Sequence, residues 1–256
     1  MRYISLFSGG AGGDLGCQHL LGWECMGYVE WDKYCCRVLE QRIKDGLLSD
    51  APIFCGDIRR WIELGYAESY QGMVDVITAG FPCQPHSRAG KQLSGDDNRD
   101  MWPETIGIID TVQPEWCFLE NVPGIIDTGY VWRVTADLAK IGYVGIATHL
   151  SALGLGANHK RDRVWFVGQR ADMFQERVQR GRGKAICWQS QLSWGEDVRR
   201  ITESRVGPAL PTSRLCRSRN DVANYVDRIS AIGNGQVPTV VAAVWRLLTR
   251  DLEATE

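Results

Sequence analysis

The sequence predicts an α/β fold, with a doubly wound, mostly parallel sheet of the Rossmann-like kind and a small irregular basic insert. Two observations predict this fold. Short apolar runs alternate with amphipathic stretches across the first 168 of the 256 residues, which is typical of strand–helix–strand units. A glycine-rich turn at residues 9–13 directly follows the first run, at the place where a backbone and a helix N-terminus approach a ligand.

The individual elements follow from the same patterns. The predicted strands are residues 3–7, 24–29, 53–54, 74–79, 116–119, 144–149 and 164–167. The predicted helices include residues 15–21, 33–43 and, near the C-terminal end, 237–252. The chain therefore divides into a main α/β domain (1–168), a polar basic region without a sustained period (169–220) and a segment that returns to the main domain (221–256).

Composition indicates an ordinary globular chain. With 44% hydrophobic residues it can bury a sizeable core. No apolar run reaches membrane-spanning length and no signal peptide is evident, so we expect no membrane partner and a cytoplasmic location. The nine cysteines are odd in number and lack zinc-ligand spacing, which favours thiols and predicts no metal site.

Charge is distributed unevenly along the chain. Residues 169–220 hold eleven Arg or Lys and five Asp or Glu, a net charge of +6 that leaves −8 on the remainder. Ten of the eleven cations are arginine, whose planar guanidinium suits phosphate oxygens and guanine edges. This split indicates either a surface that faces a polyanion or a solvated irregular loop.

Cys83 lies between two prolines in Pro82-Cys83-Gln84-Pro85, directly after a strand-like apolar run. A stiff loop at the end of a strand is where catalytic groups of α/β proteins usually lie. The position is therefore that of a nucleophile. The alternative is a small buried residue that fills space, which is the role of most free cysteines.

Carboxylates follow the second and third predicted strands, in Glu30-Trp31-Asp32 and Gly56-Asp57-Ile58. A carboxylate at the second strand end can bind a ribose diol, and the adjacent Trp can stack on adenine. Each acid could instead cap the helix that follows it. Because several acids occupy successive strand ends, we interpret them as the outline of an adenosine pocket.

The motifs together resemble those of the cytosine-5 DNA methyltransferases over residues 3–168 and 214–246, and the basic insert then corresponds to that family's variable target-recognition region. The matching motifs are Phe7-Ser8-Gly9 with Gly12, Glu30-Trp31, Gly56-Asp57-Ile58, Gly80-Phe81-Pro82-Cys83-Gln84-Pro85, Glu120-Asn121-Val122, Arg161-Asp162-Arg163 and Gly233-Asn234-Gly235-Gln236-Val237-Pro238. Three positions depart from the family pattern: Ala11 replaces a Gly, His159 a Gln and His86 a Phe.

The resemblance implies that S-adenosylmethionine is the cofactor. The residues expected to hold it are Phe7, Ser8, Gly9, Gly12, Glu30, Trp31, Asp57, Ile58, Pro82, Asn234 and Val237. It also implies the catalytic roles. Cys83 would add to carbon 6 of cytosine as a thiolate, and Glu120 would protonate ring nitrogen 3. Arg163 would hold the ring carbonyl, and Arg161 would lie nearer the backbone or the Cys83 loop.

The resemblance further implies that double-stranded DNA is the partner, with the target base flipped out of the duplex. Residues 86–99 are rich in Gly and polar groups, so they predict a loop that closes over this base or a plain solvent loop. The expected DNA-contacting residues are Gln84, Ser87, Arg88, Arg199, Arg200, Arg214 and Arg217. We expect a monomer, related in function to a cognate restriction endonuclease but not bound to one. The alternatives are the same chemistry on transfer RNA and a catalytically idle DNA-binding relative.

Overall fold

A mostly parallel sheet runs through the molecule, seen in a computed structural model that describes residues 1–83, 100–157, 159–179, 189–191 and 235–253. Within these ranges eight strands form one sheet in the order β3-β2-β1-β4-β5-β7-β6-β8. The strands are β1 (Arg2–Leu6), β2 (Glu24–Glu30), β3 (Ile53–Cys55), β4 (Val76–Ala79), β5 (Trp116–Asn121), β6 (Tyr143–Ser151), β7 (Asp162–Arg170) and β8 (Gln189–Gln191).

Strand β7 is the exception to the parallel arrangement, because it runs antiparallel to both β5 and β6. The pairs β1–β2, β1–β4, β2–β3, β4–β5 and β6–β8 are all parallel. The predicted α/β, mostly parallel fold is therefore confirmed. The carboxyl ends of β1 to β5 meet at one edge of the sheet, and the antiparallel direction of β7 brings its first residues to that same edge.

Helices cover both faces of the sheet. The described helices are α1 (Gly12–Leu15), α2 (Lys33–Lys44), α3 (Ile58–Glu63), α4 (Tyr66–Ser69), α5 (Trp102–Val112), α6 (Gly124–Asp127), α7 (Tyr130–Lys140), α8 (Ala171–Gln179) and α9 (Pro238–Glu253), with a π-helical turn at Gly16–Leu20 and a 3₁₀ turn at Leu153–Leu155.

Alternate residues of each strand feed two separate cores, as the period of two along a strand requires. In β5, Cys117 and Leu119 belong to the core that α3, α4, α5 and α7 cover. Trp116 and Phe118 belong to the opposite core, under α2, α8 and α9. The rings of both pack edge-on against Trp245 of α9, with centroids 5.2 and 5.3 Å away, so the C-terminal helix closes the second face.

The first helical segment differs from its prediction at residues 15–21. It begins at Gly12, as α1, and continues as the π-helical turn. Its glycines let the chain pack directly on residues 236–238: a Cβ on Gly12 would lie 2.2 Å from the Gln236 carbonyl oxygen, and one on Gly16 would lie 2.6 Å from that of Pro238. The absence of side chains on Gly12 and Gly16 therefore lets the start of α9 pack directly on α1 and the π-helical turn.

Strands β2, β3 and β5 extend one or two residues beyond their predicted ends, and β6 and β7 extend further. The predictions for the last two are 144–149 and 164–167, whereas each strand spans nine residues and they pair from Tyr143↔Arg170 to Ser151↔Asp162. Ladder hydrogen bonds do not depend on side-chain polarity, so a strand can continue through Arg163 and Asp162.

The region 169–220 contains regular elements where the sequence predicted irregular structure. Strand β7 continues to Arg170, helix α8 follows at once, and β8 pairs in parallel with β6. Helix α8 buries Phe174 in the second core, which ties the beginning of this region to the main domain. The division into domains at 168 and 220 remains a prediction, because residues 180–188 and 192–234 lie outside the described residues.

Candidate active site

A cavity of about 920 Å³ opens at the carboxyl edge of the sheet. Its volume is in the range of pockets that hold a cofactor-sized ligand. The loops after β1, β2, β3, β4 and β5 all contribute to its wall. The predicted site residues that line it are Phe7, Ser8, Gly9, Glu30, Trp31, Asp57, Ile58, Pro82, Cys83, Glu120 and Arg163.

Other predicted residues lie beside this cavity. Arg161 and Val237 line a small adjoining pocket of about 10 Å³, together with Glu120 and Arg163. Gly12 faces Gln236 and lines neither space. The remaining predictions lie outside the described residues: Gln84, Ser87, Arg88, Arg199, Arg200, Arg214, Arg217 and Asn234.

Cys83 is almost completely buried, with 4% of its surface exposed. Its thiol donates a hydrogen bond to Oδ1 of Asn121, and the amide of Asn121 donates to the carbonyl of Phe81 at 3.0 Å. Burial, with a further contribution from the nearby charge of Asp100, raises the pKa of the Cys83 thiol to about 12. Cys83 is therefore held in place as a protonated thiol.

Asp100 supports the other side of this thiol. Its backbone forms a β-bridge with Cys83. Its buried carboxylate accepts hydrogen bonds from the hydroxyl of Tyr130 at 2.6 Å and from the backbone N–H of Trp102 at 3.1 Å. Arg133 adds an ion pair at 3.6 Å. The chain thus returns to Cys83 at Asp100.

Glu120, at the end of β5, is 7% exposed and is held by two side chains. Nε of Arg163 lies 2.5 Å from its Oε1, and Nε2 of Gln236 donates to its Oε2 at 3.4 Å. Burial raises the pKa of this carboxyl, although the positive charges of Arg163 and Arg161 act in the opposite direction. The Glu120 carboxyl therefore keeps its proton to a higher pH than an exposed carboxyl would.

Arg163 on β7 and Arg161, which immediately precedes that strand, both act on this carboxyl because they are two residues apart, the spacing that places side chains on one face of a strand. Burial lowers the pKa of Arg161, and the neighbouring Arg163 adds to the effect. The carbonyl of Arg161 accepts a hydrogen bond from Ala152, and Nη1 of Arg163 donates to the carbonyl of Asp162. Both arginines are therefore fixed by backbone contacts as well as by charge.

Glu30 lies at the far end of the cavity, where it organises the turn after β1. Its Oε2 accepts from the N–H of Gly9 at 2.6 Å and its Oε1 from the N–H of Asp32 at 2.8 Å. Burial raises the pKa of this carboxyl. Beside it, the Trp31 ring is 75% exposed although it is large and apolar, so it offers a stacking surface at the cavity wall.

The helix-capping alternative applies to two of the predicted acids. Asp32 accepts hydrogen bonds from Tyr34 and Cys35 at the start of α2, and Asp57 accepts from Arg59 at the start of α3. Asp57 also lines the cavity, so one carboxylate oxygen caps the helix while the side chain remains at the cavity wall. Glu30 caps no helix and contacts the glycine-rich turn instead.

Backbone strain is concentrated in that turn. Phe7 and Ala11 have φ values of 55° and 62°, in the left-handed region that residues with a Cβ rarely adopt. Ala11 therefore occupies, at some conformational cost, the position where the sequence pattern departs from glycine. Such strain is typical of sites where a backbone is shaped around a ligand.

The sequence did not identify three residues that the structure brings to the site. Asn121 and Gln236 belong to motifs that resemble the family. Their positions next to Glu120 and Val237 were the sequence signal that could have identified them as site residues. Asp100 stands at the end of a polar stretch, and nothing in its local sequence distinguishes it from a loop residue. Its role depends on contacts between segments that are distant in sequence.

A cysteine, a buried carboxyl and two arginines lie at one end of a large cavity in this α/β protein, and a glycine-rich turn lies at the other. The family model for C-5 cytosine-specific DNA methylases matches residues 1–215, and the chain belongs to that family. The match includes Glu30, Cys83, Glu120 and Arg163.

Named relatives agree with this membership. The Type II methyltransferase M.NgoMIV of Neisseria gonorrhoeae is 34% identical over 171 residues, which are 65% of this chain and 52% of the relative. The Type II methyltransferase M.HhaI of Haemophilus parahaemolyticus is 31% identical over 177 residues, which are 68% of this chain and 50% of the relative. The chain thus spans about half the length of these curated relatives.

Solved structures show the same fold. A Spodoptera frugiperda DNMT2 variant superimposes with a TM-score of 0.53 at 20% identity, covering 67% of this chain and 50% of that one. At this identity the likeness concerns the fold alone. Among the described residues, no cluster of His, Cys, Asp or Glu could hold a metal ion. None of the helices in that part of the chain is both long and apolar enough to span a membrane.

Proposed function

We propose that this chain is a DNA (cytosine-5)-methyltransferase that methylates carbon 5 of a cytosine flipped out of double-stranded DNA. One observation carries the proposal. The Cys83 thiol and the Glu120–Arg163 pair line the same cavity as Glu30 and Trp31. One ligand space thus connects a nucleophile and a proton donor to a pocket with groups suited to an adenosine.

S-adenosylmethionine fits the second part of this space. The cavity volume of about 920 Å³ accommodates a molecule of that size, and the exposed Trp31 ring offers a surface for an adenine. The carboxylate of Glu30 retains lone pairs for a ribose diol beyond the two that Gly9 and Asp32 occupy. When bound, the cofactor supplies an electrophilic methyl group on a sulfonium.

Cys83 carries the covalent part of the proposed reaction. The Cys83 thiol first gives its proton to water and then bonds, as a thiolate, to carbon 6 of cytosine. Carbon 5 becomes nucleophilic because the ring then gains enamine character. Once carbon 5 carries the methyl group, a base removes the proton from that carbon. The electron pair of the broken C–H bond re-forms the ring double bond and expels Cys83 as a thiolate. Burial and the Asn121 hydrogen bond hold the sulfur in one position for both steps.

Glu120 carries the proton that balances the addition. As the sulfur bonds to carbon 6, electron density moves to ring nitrogen 3, and the Glu120 carboxyl donates its proton there, so that no bare anion forms. The carboxylate that remains is stabilised by the Arg163 guanidinium 2.5 Å away. On elimination of Cys83 the proton returns from nitrogen 3 to Glu120.

Recognition of DNA is proposed for the basic region 169–220 and for the segment after Cys83, which carry the predicted DNA-contacting residues. The net charge of +6 in that region supports contact with phosphates. We further propose that the protein acts as a cytoplasmic monomer alongside a restriction endonuclease that it does not bind.

Methyl transfer from a tritium-labelled cofactor to plasmid DNA, with transfer RNA in a parallel reaction, tests this function. We expect label in DNA from the wild type and none from Cys83→Ala, since that variant lacks the sulfur. DNA that contains 5-fluorocytosine should trap a denaturation-resistant adduct with the wild type alone. Label in transfer RNA instead of DNA would overturn the substrate, and an adduct with Cys83→Ala would overturn the nucleophile.

A further inference from the structure

Gln236 lies between the glycine-rich turn and Glu120, two residues before the start of α9. It lines both the main cavity and the small pocket beside Glu120 and Arg161. Its side-chain amide donates a hydrogen bond to Oε2 of Glu120 at 3.4 Å. Arg163 approaches the other oxygen, Oε1, of the same carboxyl. The two residues therefore hold Glu120 through different oxygens.

Three glycines confine the Gln236 side chain and its backbone. A Cβ on Gly13 would lie 2.1 Å from Oε1 of Gln236, and a Cβ on Gly12 would lie 2.2 Å from its backbone oxygen. A Cβ on Gly80 would lie 3.2 Å from Nε2 of Gln236 and 3.1 Å from Oε2 of Glu120. The amide is thus packed between the glycine-rich turn of the first motif and the carboxyl of β5, with little room to rotate.

We propose that Gln236 is a positioning residue for Glu120, which it holds by its amide N–H against the glycine-rich turn at the other end of the cavity. This inference rests on the proposed function, in which Glu120 donates a proton to the target base. A neutral amide suits this task, because it can orient the carboxyl in both protonation states. A cation in place of this amide would stabilise the ionised form of Glu120 more strongly.

The consequence concerns proton affinity as well as orientation. An N–H donor to a carboxylate stabilises its charged form. Removal of the donor should therefore raise the pKa of Glu120, and a carboxylate in its place should raise it further. In the described part of the chain, the other charged or ionisable groups that act on Glu120 are Arg161, Arg163 and Cys83, and they are unchanged in such variants.

Gln236→Met and Gln236→Glu test the proposal, since each keeps a side chain of similar length. The ¹³C resonance of the Glu120 carboxyl, assigned by its loss in Glu120→Gln, reports the titration directly without cofactor or DNA. We expect the midpoint to rise by about one pH unit in Gln236→Met and by more in Gln236→Glu. In methyl transfer by these variants, kcat should fall about tenfold and KM for the cofactor should stay constant. The pH at which kcat declines on the alkaline side should rise in both variants, and by more in Gln236→Glu than in Gln236→Met.

Gln71→Met is the matched control. Gln71 is an exposed residue whose amide donates to the carbonyl of Thr111, away from the cavity, so its loss should leave both pH profiles unchanged. Thermal melts of all variants identify any that fail to fold, and the Gln236→Glu titration remains available if Gln236→Met does not. An unshifted Glu120 midpoint in a folded Gln236 variant overturns the positioning role. An inactive wild type with a shifted midpoint overturns the proposed function instead.

Discussion

At the scale of single residues, burial makes Cys83 a poor nucleophile in the free protein. A pKa of about 12 leaves only about 10⁻⁴ of the thiol ionised at pH 8. Burial is the largest cause of this raised pKa, and the charge of Asp100, which forms a β-bridge with Cys83, is the second. We infer that the site keeps its thiol protonated until substrate binding changes these surroundings.

Alkylation kinetics test this inference. In the free protein, iodoacetamide should modify Cys83 much more slowly than the exposed Cys55 at pH 8, by about 10²-fold or more, and the rate at Cys83 should rise with pH toward about 12. Peptide mapping by mass spectrometry at timed intervals measures both sites in one sample. Equal rates at the two cysteines at pH 8 would contradict a buried, protonated Cys83.

Glu120→Gln should lower turnover by about 10²- to 10⁴-fold, since a glutamine has the shape of the acid but no proton to donate in the same way. Affinity for S-adenosylhomocysteine should change little, because Glu30 and Trp31 lie at the other end of the cavity. Single-turnover methylation and calorimetry measure the two effects separately. Turnover within about threefold of the wild type would assign Glu120 a structural role.

Trp31→Ala should weaken the binding of S-adenosylhomocysteine by about 5- to 100-fold, the usual effect of removing one stacking surface of about 1–3 kcal/mol. Glu30→Ala should weaken it as well, and it should also loosen the glycine-rich turn, because Gly9 loses its hydrogen-bond acceptor. Calorimetry on both variants, with DNA binding as the comparison, provides the test. Unchanged cofactor affinity in both would show that the adenosine pocket lies elsewhere.

At the scale of elements, the sequence predicted those parts whose signal is local. Cys83 and Glu120 were predicted because each follows an apolar run and belongs to a recognisable motif, and the C-terminal helix because its apolar residues repeat at helical spacing. Asp100 and the Asn121–Cys83 contact could not be predicted, since each depends on which loops the sheet order brings together. Helix α8 was missed because a short, charged segment with the single buried aromatic Phe174 has a weak pattern.

The glycines of the first motif illustrate how one local signal can have two meanings. Gly12 was interpreted through ligand approach, yet it packs, as Gly16 does, on the chain that leads into α9. Residues four apart share a helix face, so this spacing was itself a signal for close packing. The first motif thus serves the core as well as the cavity.

Gly16→Ala should therefore destabilise the fold by about 1–3 kcal/mol, the usual effect of overpacking, because the new Cβ would lie 2.6 Å from the Pro238 carbonyl. Gly107→Ala in α5 is the matched control: a Cβ there meets nothing within 4 Å, so it should stabilise the protein by roughly 0.5–1 kcal/mol. Urea unfolding of the two variants gives the comparison. Equal stability changes would show that α9 does not pack on Gly16 in solution.

At the scale of the whole molecule, the division of charge predicts how DNA binding responds to salt. Region 169–220 carries +6 and the remainder −8, so phosphate contacts should concentrate in the former. The pairing of β8 with β6 ties part of this region to the main sheet. We therefore expect the main sheet to hold both the groups that bind phosphates and the groups that bind the target base.

Affinity for DNA should fall steeply with salt, and replacing Arg199 and Arg200 by Ala should reduce the slope of log K against log salt by about 1–2. The double variant Arg37→Ala with Arg60→Ala is the control, since it removes equal charge from exposed positions on α2 and α3 and should leave the slope unchanged. Fluorescence anisotropy from 50 to 300 mM salt measures both. Equal slopes for the two double variants would place the phosphate contacts outside this region.

The antiparallel strand β7 also affects the register in which it pairs with β5, the strand that carries Glu120. Glu120 lies opposite Trp165, and Arg163 and Arg161 follow on the same face at intervals of two, with Asp162 between them on the other. A slip of one residue would turn Asp162 toward Glu120 and both arginines away, replacing attraction by repulsion between like charges. The Arg-Asp-Arg triplet should therefore penalise misregistered pairing, so the residues proposed to contact the substrate should also favour the native register of the sheet.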